Sequence, residues 1–166
     1  MSALPACDSP PAFDAKYFRQ ALSQFATGVT VITARLPDDS VVGVTINSFN
    51  SVSLDPPLVL WSLAHAASTM AAFSNAPGYV INVLSGEQIE LAQRFALPGP
   101  NLVDPAMFAL SQQGVPVLAG TVAWFECHHR SRYSEGDHMI FVGAVARCHA
   151  HPHRTLGFHR GRFIAI

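Results

Sequence analysis

The stretch VTVITARLPDDSVVGVTI, residues 29–46, predicts a β-hairpin early in the chain. Its two ends, residues 29–34 and 41–46, are rich in the β-branched residues that favour strands. The segment between them, Leu36 to Ser40, holds a proline and two aspartates, which are typical of turns. A pair of antiparallel strands is therefore expected here.

Further strand-like runs follow along the chain, separated by turn residues and by few helical patterns. The predicted strands are 58–63, 79–84, 121–130, 138–148 and 158–166. The predicted helices are one from Phe13 that ends before Gly28, one over 69–73 and one over 87–95. The proline-rich segment 97–116 is expected to be an ordered loop. This spacing favours a mainly β fold, a barrel rather than a doubly wound parallel sheet.

Capping residues mark where the helices should begin. The predicted caps are Asp14 for the first helix, Ser68 for the second and a capping box of Ser85 with Gln88 for the third. The first helix has an amphipathic pattern, since its apolar residues recur at helical spacing. They are Phe18, Ala21, Leu22 and Phe25.

The composition predicts one domain with part of its surface covered. The chain has 166 residues, and only 13% of them are charged, against about 25% in an average soluble domain. With so few charged residues, a monomer would have little charge on its surface, and part of that surface should be covered. We therefore expect an oligomer. Residues 1–12, with three prolines, are interpreted as a flexible arm, and residues 13–166 as the domain.

Several classes of protein are excluded or disfavoured. Ten basic and eleven acidic residues give a net charge of −1, which argues against binding to nucleic acid. The longest apolar runs, such as 58–63, fall far short of the ~20 residues of a membrane span. The N-terminus lacks the pattern of a signal peptide. Cys7, Cys127 and Cys148 form no CxxC pair, which suits reduced thiols and a cytoplasmic location.

Familiar catalytic and metal-binding motifs do not occur in the sequence. It contains no GxGxxG, P-loop, GxSxG or HExxH pattern. His149, His151 and His153 alternate as metal ligands on a strand would, but Pro152 interrupts them. A solvated turn explains these histidines without a metal, and no metal site is predicted.

Small hydrogen-bonding residues are concentrated in one part of an otherwise apolar chain, residues 43–57. Such side chains let a ligand approach the backbone closely and can hold its polar edges. A solvated turn at the surface is the alternative. The residues in question are Thr45, Asn47, Ser48, Asn50, Ser51 and Ser53.

Two other short segments allow both a functional and a structural interpretation. Ser68 and Thr69 at a helix start could receive an anion or could simply cap the helix. Gly136-Asp137-His138 could contact a ligand or could only be a hairpin turn and its exit.

Taken together, these segments resemble the flavin reductase-like family, the short-chain NAD(P)H:flavin oxidoreductases. The matching pieces occur in family order and cover nearly the whole chain from about residue 14. They are 18–22, 25–33, 47–49, 51–58, 81–84, 94–96, 136–138 and 159–161.

The resemblance implies a Greek-key type split β-barrel that binds FMN, with FAD possible, and forms a homodimer. It implies hydride transfer from NADH or NADPH to the flavin, often for a partner monooxygenase. By position, the flavin contacts would be Thr45, Ile46, Asn47, Ser48, Ser51 and Ser53, with Ser68 and Thr69 at the phosphate and Arg160 near the site. Gly136, Asp137 and His138 match a motif associated with the nicotinamide, so His138 would be the catalytic-site residue beside it.

The sequence departs from the family pattern at three places, and these leave the choice between FMN and FAD open. Phe158 replaces a frequent tyrosine, and 97–100 is unusually rich in proline. A basic residue usually precedes Ser68, and here His65 is the nearest candidate. A flavin-binding carrier or electron-transfer protein without nicotinamide turnover is the alternative function. The intact 136–138 motif favours the enzyme.

Overall fold

The computed structural model describes residues 12–166. The predicted arm over 1–12 lies, except for its last residue, outside the described residues, and so does Cys7. The helices are α1 Ala15–Leu22, α2 Met70–Asn75 and α3 Ile89–Ala96, with a 3-10 turn at Pro105–Met107. The strands are β1 Thr27–Gly28, β2 Thr30–Arg35, β3 Val41–Ile46, β4 Asn50–Leu54, β5 Pro57–Ala64, β6 Gly78–Val83, β7 Phe108–Leu110, β8 Pro116–Leu118, β9 Ala123–Glu135, β10 His138–Ala150, β11 Leu156–His159 and β12 Arg162–Ala165.

Seven strands form the main antiparallel sheet, in the order β3-β2-β6-β9-β10-β5-β4. The hairpin predicted from residues 29–46 is confirmed, with Thr30 opposite Ile46 and Arg35 opposite Val41. The two edge strands, β3 and β4, follow each other in the chain and are separated by only 47–49. The gap between the sheet's edges therefore lies at the segment that carries the predicted ligand contacts.

The last predicted strand, 158–166, is wrong as a single element. β11 and β12 form a hairpin there, and both pair within a three-stranded sheet with β1. The reversal occurs at Arg160 and Gly161, whose φ angles are +49° and +76°. Positive φ angles at an arginine and at the glycine after it are typical of a tight turn. The apolar residues on either side of this pair made the segment resemble one continuous strand.

The predicted loop 97–116 is ordered and contains a short strand pair, β7 with β8. The buried side chain of Asn82 connects it to the main sheet. The Nδ2 of Asn82 donates to the Val31 carbonyl (3.0 Å), and its Oδ1 accepts from the amide of Leu118 (2.9 Å). The hydroxyl of Thr33 adds a 2.6 Å bond to the carbonyl of Pro116. The segment is thus part of the folded body.

Aromatic side chains fill the centre of the barrel. The rings of Trp61 and Phe141 stack at 4.4 Å, and Phe73 and Tyr79 meet Trp61 edge-on at 5.3 and 5.4 Å. All four side chains are fully buried. This packing accounts for the apolar composition of β5, β6 and β10.

Helix α1 lies on the surface, and every one of its residues is exposed. The predicted cap is confirmed, since Asp14 Oδ1 accepts from the amide of Tyr17 at 2.7 Å. The apolar side of the helix is open to solvent, with Leu22 57% exposed and Phe25, just beyond its end, 77% exposed. An amphipathic helix with its apolar side uncovered is unusual for a single chain.

The predicted cap at Ser68 is wrong, and the predicted capping box of Ser85 with Gln88 forms only in part. Thr69, not Ser68, is the residue before α2, and Ser68 Oγ donates instead to the carbonyl of Gly99 (2.6 Å). Before α3, the cap position is Gln88, whose Oε1 accepts from the amide of Ser85 (3.0 Å). Ser85 itself lies in a β-bridge to Thr155, so its backbone is held by the sheet and the helix begins later.

Candidate functional site

Ser48 connects the segment after β3 to β5 by hydrogen bonds. The hydroxyl of Ser48 accepts from the amide of Ser62 (3.0 Å) and donates to the carbonyl of the same residue (3.2 Å). Both hydrogen-bonding roles of this hydroxyl are therefore used within the protein. Asn47, just before it, is exposed. A ligand at this segment would meet the Asn47 side chain and the backbone rather than the hydroxyl of Ser48.

Two of the other predicted contacts have side chains that serve the fold. Thr45 Oγ1 donates to the carbonyl of Ala92 in α3 at 2.8 Å. Ile46 is 9% exposed and belongs to the barrel core. At these positions only backbone groups are available to a ligand.

The exposed edge strand β4 carries the next two predicted residues. Ser51 is exposed and Ser53 is half-buried, and the register against β5 is irregular between them. Because β4 is at the sheet's edge, its outward N–H and C=O groups lack a strand partner in the described sheet. Leu54 at its end is 94% exposed. This strand can offer both hydrogen bonds and apolar contact to a flat ligand.

Ser68 and Thr69, the predicted phosphate contacts, are held by neighbouring loops. The hydroxyl of Ser68 is occupied by its bond to Gly99. Thr69 is 3% exposed, and α2 behind it has only six residues. The arrangement brings the loop after α3 over the start of α2.

The 136–138 motif forms the tight turn between the two longest strands, β9 and β10. Gly136 has φ +58°, which a side chain would disfavour, and Glu135 pairs with His138 across the turn. The Nδ1 of His138 lies 2.7 Å from Oδ1 of Asp137. That hydrogen bond and the charge of His138 lower the pKa of Asp137 below its ordinary value. The carboxylate is thus held ionised beside the imidazole.

One residue near this turn was not predicted to act there. The amide of His65 donates to the carbonyl of Asp137 (2.9 Å), and its Nε2 lies 3.0 Å from Oγ of Ser134. Sequence position associated His65 with Ser68 instead. Spacing along the chain contains no signal for this contact, since it depends on the register of β5 against β10.

Arg160 lies in the turn between β11 and β12 of the three-stranded sheet. Its amide donates to the carbonyl of Ser23 (3.0 Å) and its Nε to Oε1 of Gln24 (2.8 Å). On the strand beside it, Thr27 pairs with Phe158, and the buried hydroxyl of Thr27 has no hydrogen-bond partner among residues 12–166. Thr27 is therefore a candidate polar contact that the sequence did not single out.

Strand β5 brings the two main predicted segments together. Ser48 is bonded to Ser62, and His138 pairs with Ala64 two residues further along the same strand. Two residues of a strand span about 7 Å. The segment predicted to hold one ligand and the motif predicted to hold a second are therefore neighbours at one end of β5.

Shape alone does not reveal this site. A cleft of about 600 Å³ is lined by the β2–β3 hairpin, α2 and residues 113–115. It contains none of the predicted site residues. The polar groups around β5 define the candidate site instead, since an open groove that a second molecule completes need not form a closed cavity in one chain.

A buried carboxyl group, that of Glu126, and a half-buried imidazole, that of His129, lie outside the segments that meet at the end of β5. Glu126 is 1% exposed, and neither of its carboxyl oxygens has a hydrogen-bond partner in the part of the chain that the structure describes. Arg147 is opposite it in the register but donates to Gln112 Oε1 at 2.8 Å. Burial and the nearby charge of Arg132 lower the pKa of His129. Neither side chain contacts the candidate site.

Comparison with known proteins identifies the family. The family model of the flavin reductase like domain matches residues 22–166. The chain belongs to this family, whose solved members have the split-barrel fold, so the predicted family and fold are confirmed.

Individual relatives are similar over nearly all of the chain. An FMN reductase (NADH), SmoA, of Agrobacterium fabrum is 45% identical over 93% of this chain and 87% of its own length. The stachydrine N-demethylase reductase subunit Stc3 of Rhizobium meliloti is 39% identical over 92% of this chain, which spans 66% of Stc3. The structure of an NADH:FAD oxidoreductase, SgcE6, of Streptomyces globisporus superposes with a TM-score of 0.86 at 34% identity, covering 98% of both chains. A further structure of SgcE6 contains NAD and FAD fragments.

A search for membrane-crossing helices gave a negative result for the described residues. Within 12–166, no helix is both long and apolar enough to span a bilayer.

Proposed function

We propose that the protein is a flavin reductase that transfers hydride from NADH, or NADPH, to FMN or FAD. The single observation that supports this most directly is the meeting of two segments at β5. The segment 45–53 and the motif 136–138 contact residues two apart on that strand. Hydride transfer needs two ring systems held about 3–3.5 Å apart, and adjacent binding segments provide for that.

Each segment has a separate part in this proposal. The backbone of 45–48 with Ser51 and Ser53 binds the flavin ring and its ribityl chain. Ser68 and Thr69 take the phosphate through backbone groups, because the hydroxyl of Ser68 is bonded to the carbonyl of Gly99. Arg160 contributes from the turn between β11 and β12. Gly136, Asp137 and His138 bind the nicotinamide nucleotide.

The residues present fit a flavin. The edge strand β4 offers unpaired backbone groups, and the hydroxyl of Thr27 is buried without a partner among the described residues. When bound, flavin supplies the ring that accepts the hydride. The side chains around it orient the two nucleotides and exclude water, which requires few charged residues. Backbone amides near the ring would stabilise the negative charge that develops on it.

The assignment as an oxidoreductase acting on NAD(P)H, of the EC 1.5.1 type, is tested by steady-state kinetics. NADH and NADPH oxidation are followed at saturating FMN and then FAD, against flavin alone. Turnover above the flavin-only rate is expected. If flavin binds but no NAD(P)H is oxidised, the protein is a flavin carrier instead.

We further propose that residues 13–166 act as one domain within a homodimer. The uncovered apolar side of α1, with Phe18 48% and Phe25 77% exposed, supports this. Light scattering after size exclusion should give twice the chain mass for the wild type and a monomer for Phe25→Glu. Gln20→Ser, on the side of α1 opposite Phe18 and Leu22, serves as a control.

A partner monooxygenase that receives the reduced flavin completes the proposal. The reductase subunit HsaB of a flavin-dependent monooxygenase of Mycobacterium tuberculosis, 34% identical over 92% of this chain, supports it by analogy. A cytoplasmic location is also part of it. The free thiols of Cys127 and Cys148 support that location.

A further inference from the structure

His65 is the first residue after β5, and it lies against the turn that carries the 136–138 motif. It is exposed, as are Ser134 and Asp137, its two contacts there. His65 is not among the residues proposed above to bind the flavin or the nicotinamide.

Two hydrogen bonds from His65 connect to opposite sides of Gly136. Its amide donates to the carbonyl of Asp137, after the glycine, at 2.9 Å. Its Nε2 lies 3.0 Å from Oγ of Ser134, before the glycine. His65 therefore connects the residues on both sides of the turn to the end of β5.

Packing does little to hold this turn. An atom placed at the Cβ position of Gly136 would have open space around it to at least 4 Å. The carboxylate of Asp137 is 93% exposed and the side chain of His138 46% exposed. A turn that is not held by packing takes its position from its hydrogen bonds, and the contacts of His65 are outside the β9–β10 ladder itself.

The direction of the His65 side chain also matters. It is bonded to Ser134 on β9, whereas its place in the sequence suggested a charge partner for the phosphate at Ser68. In addition, the charge of His65 contributes to lowering the pKa of Asp137, which places the imidazole near that carboxylate.

We propose that His65 is a positioning residue for the nicotinamide: its bond to Ser134 fixes the turn that presents Asp137 and His138. This inference rests on the proposed flavin reductase activity. His65 touches neither the hydride donor nor the acceptor in this account. It acts through the turn, and its contribution is to the binding of the nicotinamide nucleotide alone.

The test is a double-mutant cycle read through KM values. His65→Ala and Ser134→Ala are each expected to raise the KM for NADH about fivefold. The KM for flavin should stay within about twofold, because the flavin segment is attached through Ser48 and not through the turn. The double variant should resemble either single variant, since both remove the same bond.

Conservative replacement and a matched control separate positioning from general structure. His65→Gln, whose amide nitrogen reaches about as far as Nε2, should recover most of the NADH affinity. His153→Ala removes an exposed histidine away from this turn and should leave both KM values unchanged. Thermal unfolding of all variants checks that each one is folded.

The outcomes distinguish this inference from the function on which it rests. A wild-type protein that oxidises no NAD(P)H overturns the proposed activity. An active wild type with an unchanged KM for NADH in His65→Ala overturns the role of His65. Equal increases in both KM values, or independent effects of the two single variants, also overturn it.

Discussion

The imidazole Nδ1 of His138 lies 2.7 Å from Oδ1 of Asp137, the residue immediately before it. Adjacent residues of a strand normally point to opposite faces, so this contact depends on the turn at Gly136. It occupies one ring nitrogen and leaves Nε2 as the nitrogen available to a ligand. The first two predictions follow from this pair.

Replacing His138 should impair use of the nicotinamide and spare the flavin. His138→Ala is expected to raise the KM for NADH about tenfold, equivalent to the loss of one good hydrogen bond. The dissociation constant for FMN, measured by fluorescence quenching, should change less than about twofold. An equal loss of both affinities would show that the turn serves the whole site.

The ionisation of Asp137 should depend on its neighbour. The hydrogen bond from His138 and the charge of that ring hold the pKa of Asp137 below the ordinary 3.8. A lowered pKa means that the ionised form is stabilised above 3.8 and that this contribution disappears as the pH falls through the lower value. Carboxyl carbon shifts in an NMR titration measure it directly. In His138→Ala the pKa should move up towards 3.8, and no movement would contradict the assigned cause.

Ser48 and Ser51 should differ sharply although both belong to the predicted flavin segment. Ser48→Ala removes two hydrogen bonds to Ser62 and should lower the free energy of unfolding by about 1–2 kcal/mol. Ser51→Ala alters an exposed hydroxyl and should stay within about 0.5 kcal/mol. Urea denaturation of both variants provides the comparison. Similar values for the two would mean that the contact with Ser62 contributes little.

The buried carboxyl group of Glu126 should reduce the free energy of unfolding. The carboxyl group has no hydrogen-bond partner among residues 12–166, and removing such a group is favourable, so Glu126→Met is expected to raise the free energy of unfolding by about 1–3 kcal/mol. Glu135→Gln, at an exposed position, is the control and should have an effect within about 0.5 kcal/mol. A clear loss of stability in Glu126→Met would indicate a partner for the carboxylate supplied by a second subunit.

Local features of the fold could be predicted from the sequence. The β2–β3 hairpin and the Asp14 cap depend on residues close together in the chain, and both were found where expected. The cap at Ser68 failed and the capping box at Ser85 formed only in part, because distant groups compete for these residues: Gly99 takes the hydroxyl of Ser68, and Thr155 bridges to the backbone of Ser85.

The candidate site, too, could be predicted from the sequence only in part. Its polar segments could be identified by composition and by resemblance, because small residues cluster in 45–53. Their meeting on β5 could not, since it depends on a register between strands about eighty residues apart in sequence. For the same reason Thr27 was not singled out, and His65 was associated with Ser68 rather than with the 136–138 turn.

The buried amide of Asn82 has a consequence for how the molecule opens. Its hydrogen-bond partners belong to the sheet and to β8, at the end of the loop that begins at residue 97; they are Val31, Thr33, Val80 and Leu118. Hydrogen bonds are lost within a small displacement, whereas apolar contacts weaken gradually. Residues 97–118 should therefore separate from the sheet as one cooperative unit, and the amide hydrogens of Val117 and Leu118 in β8 should exchange together.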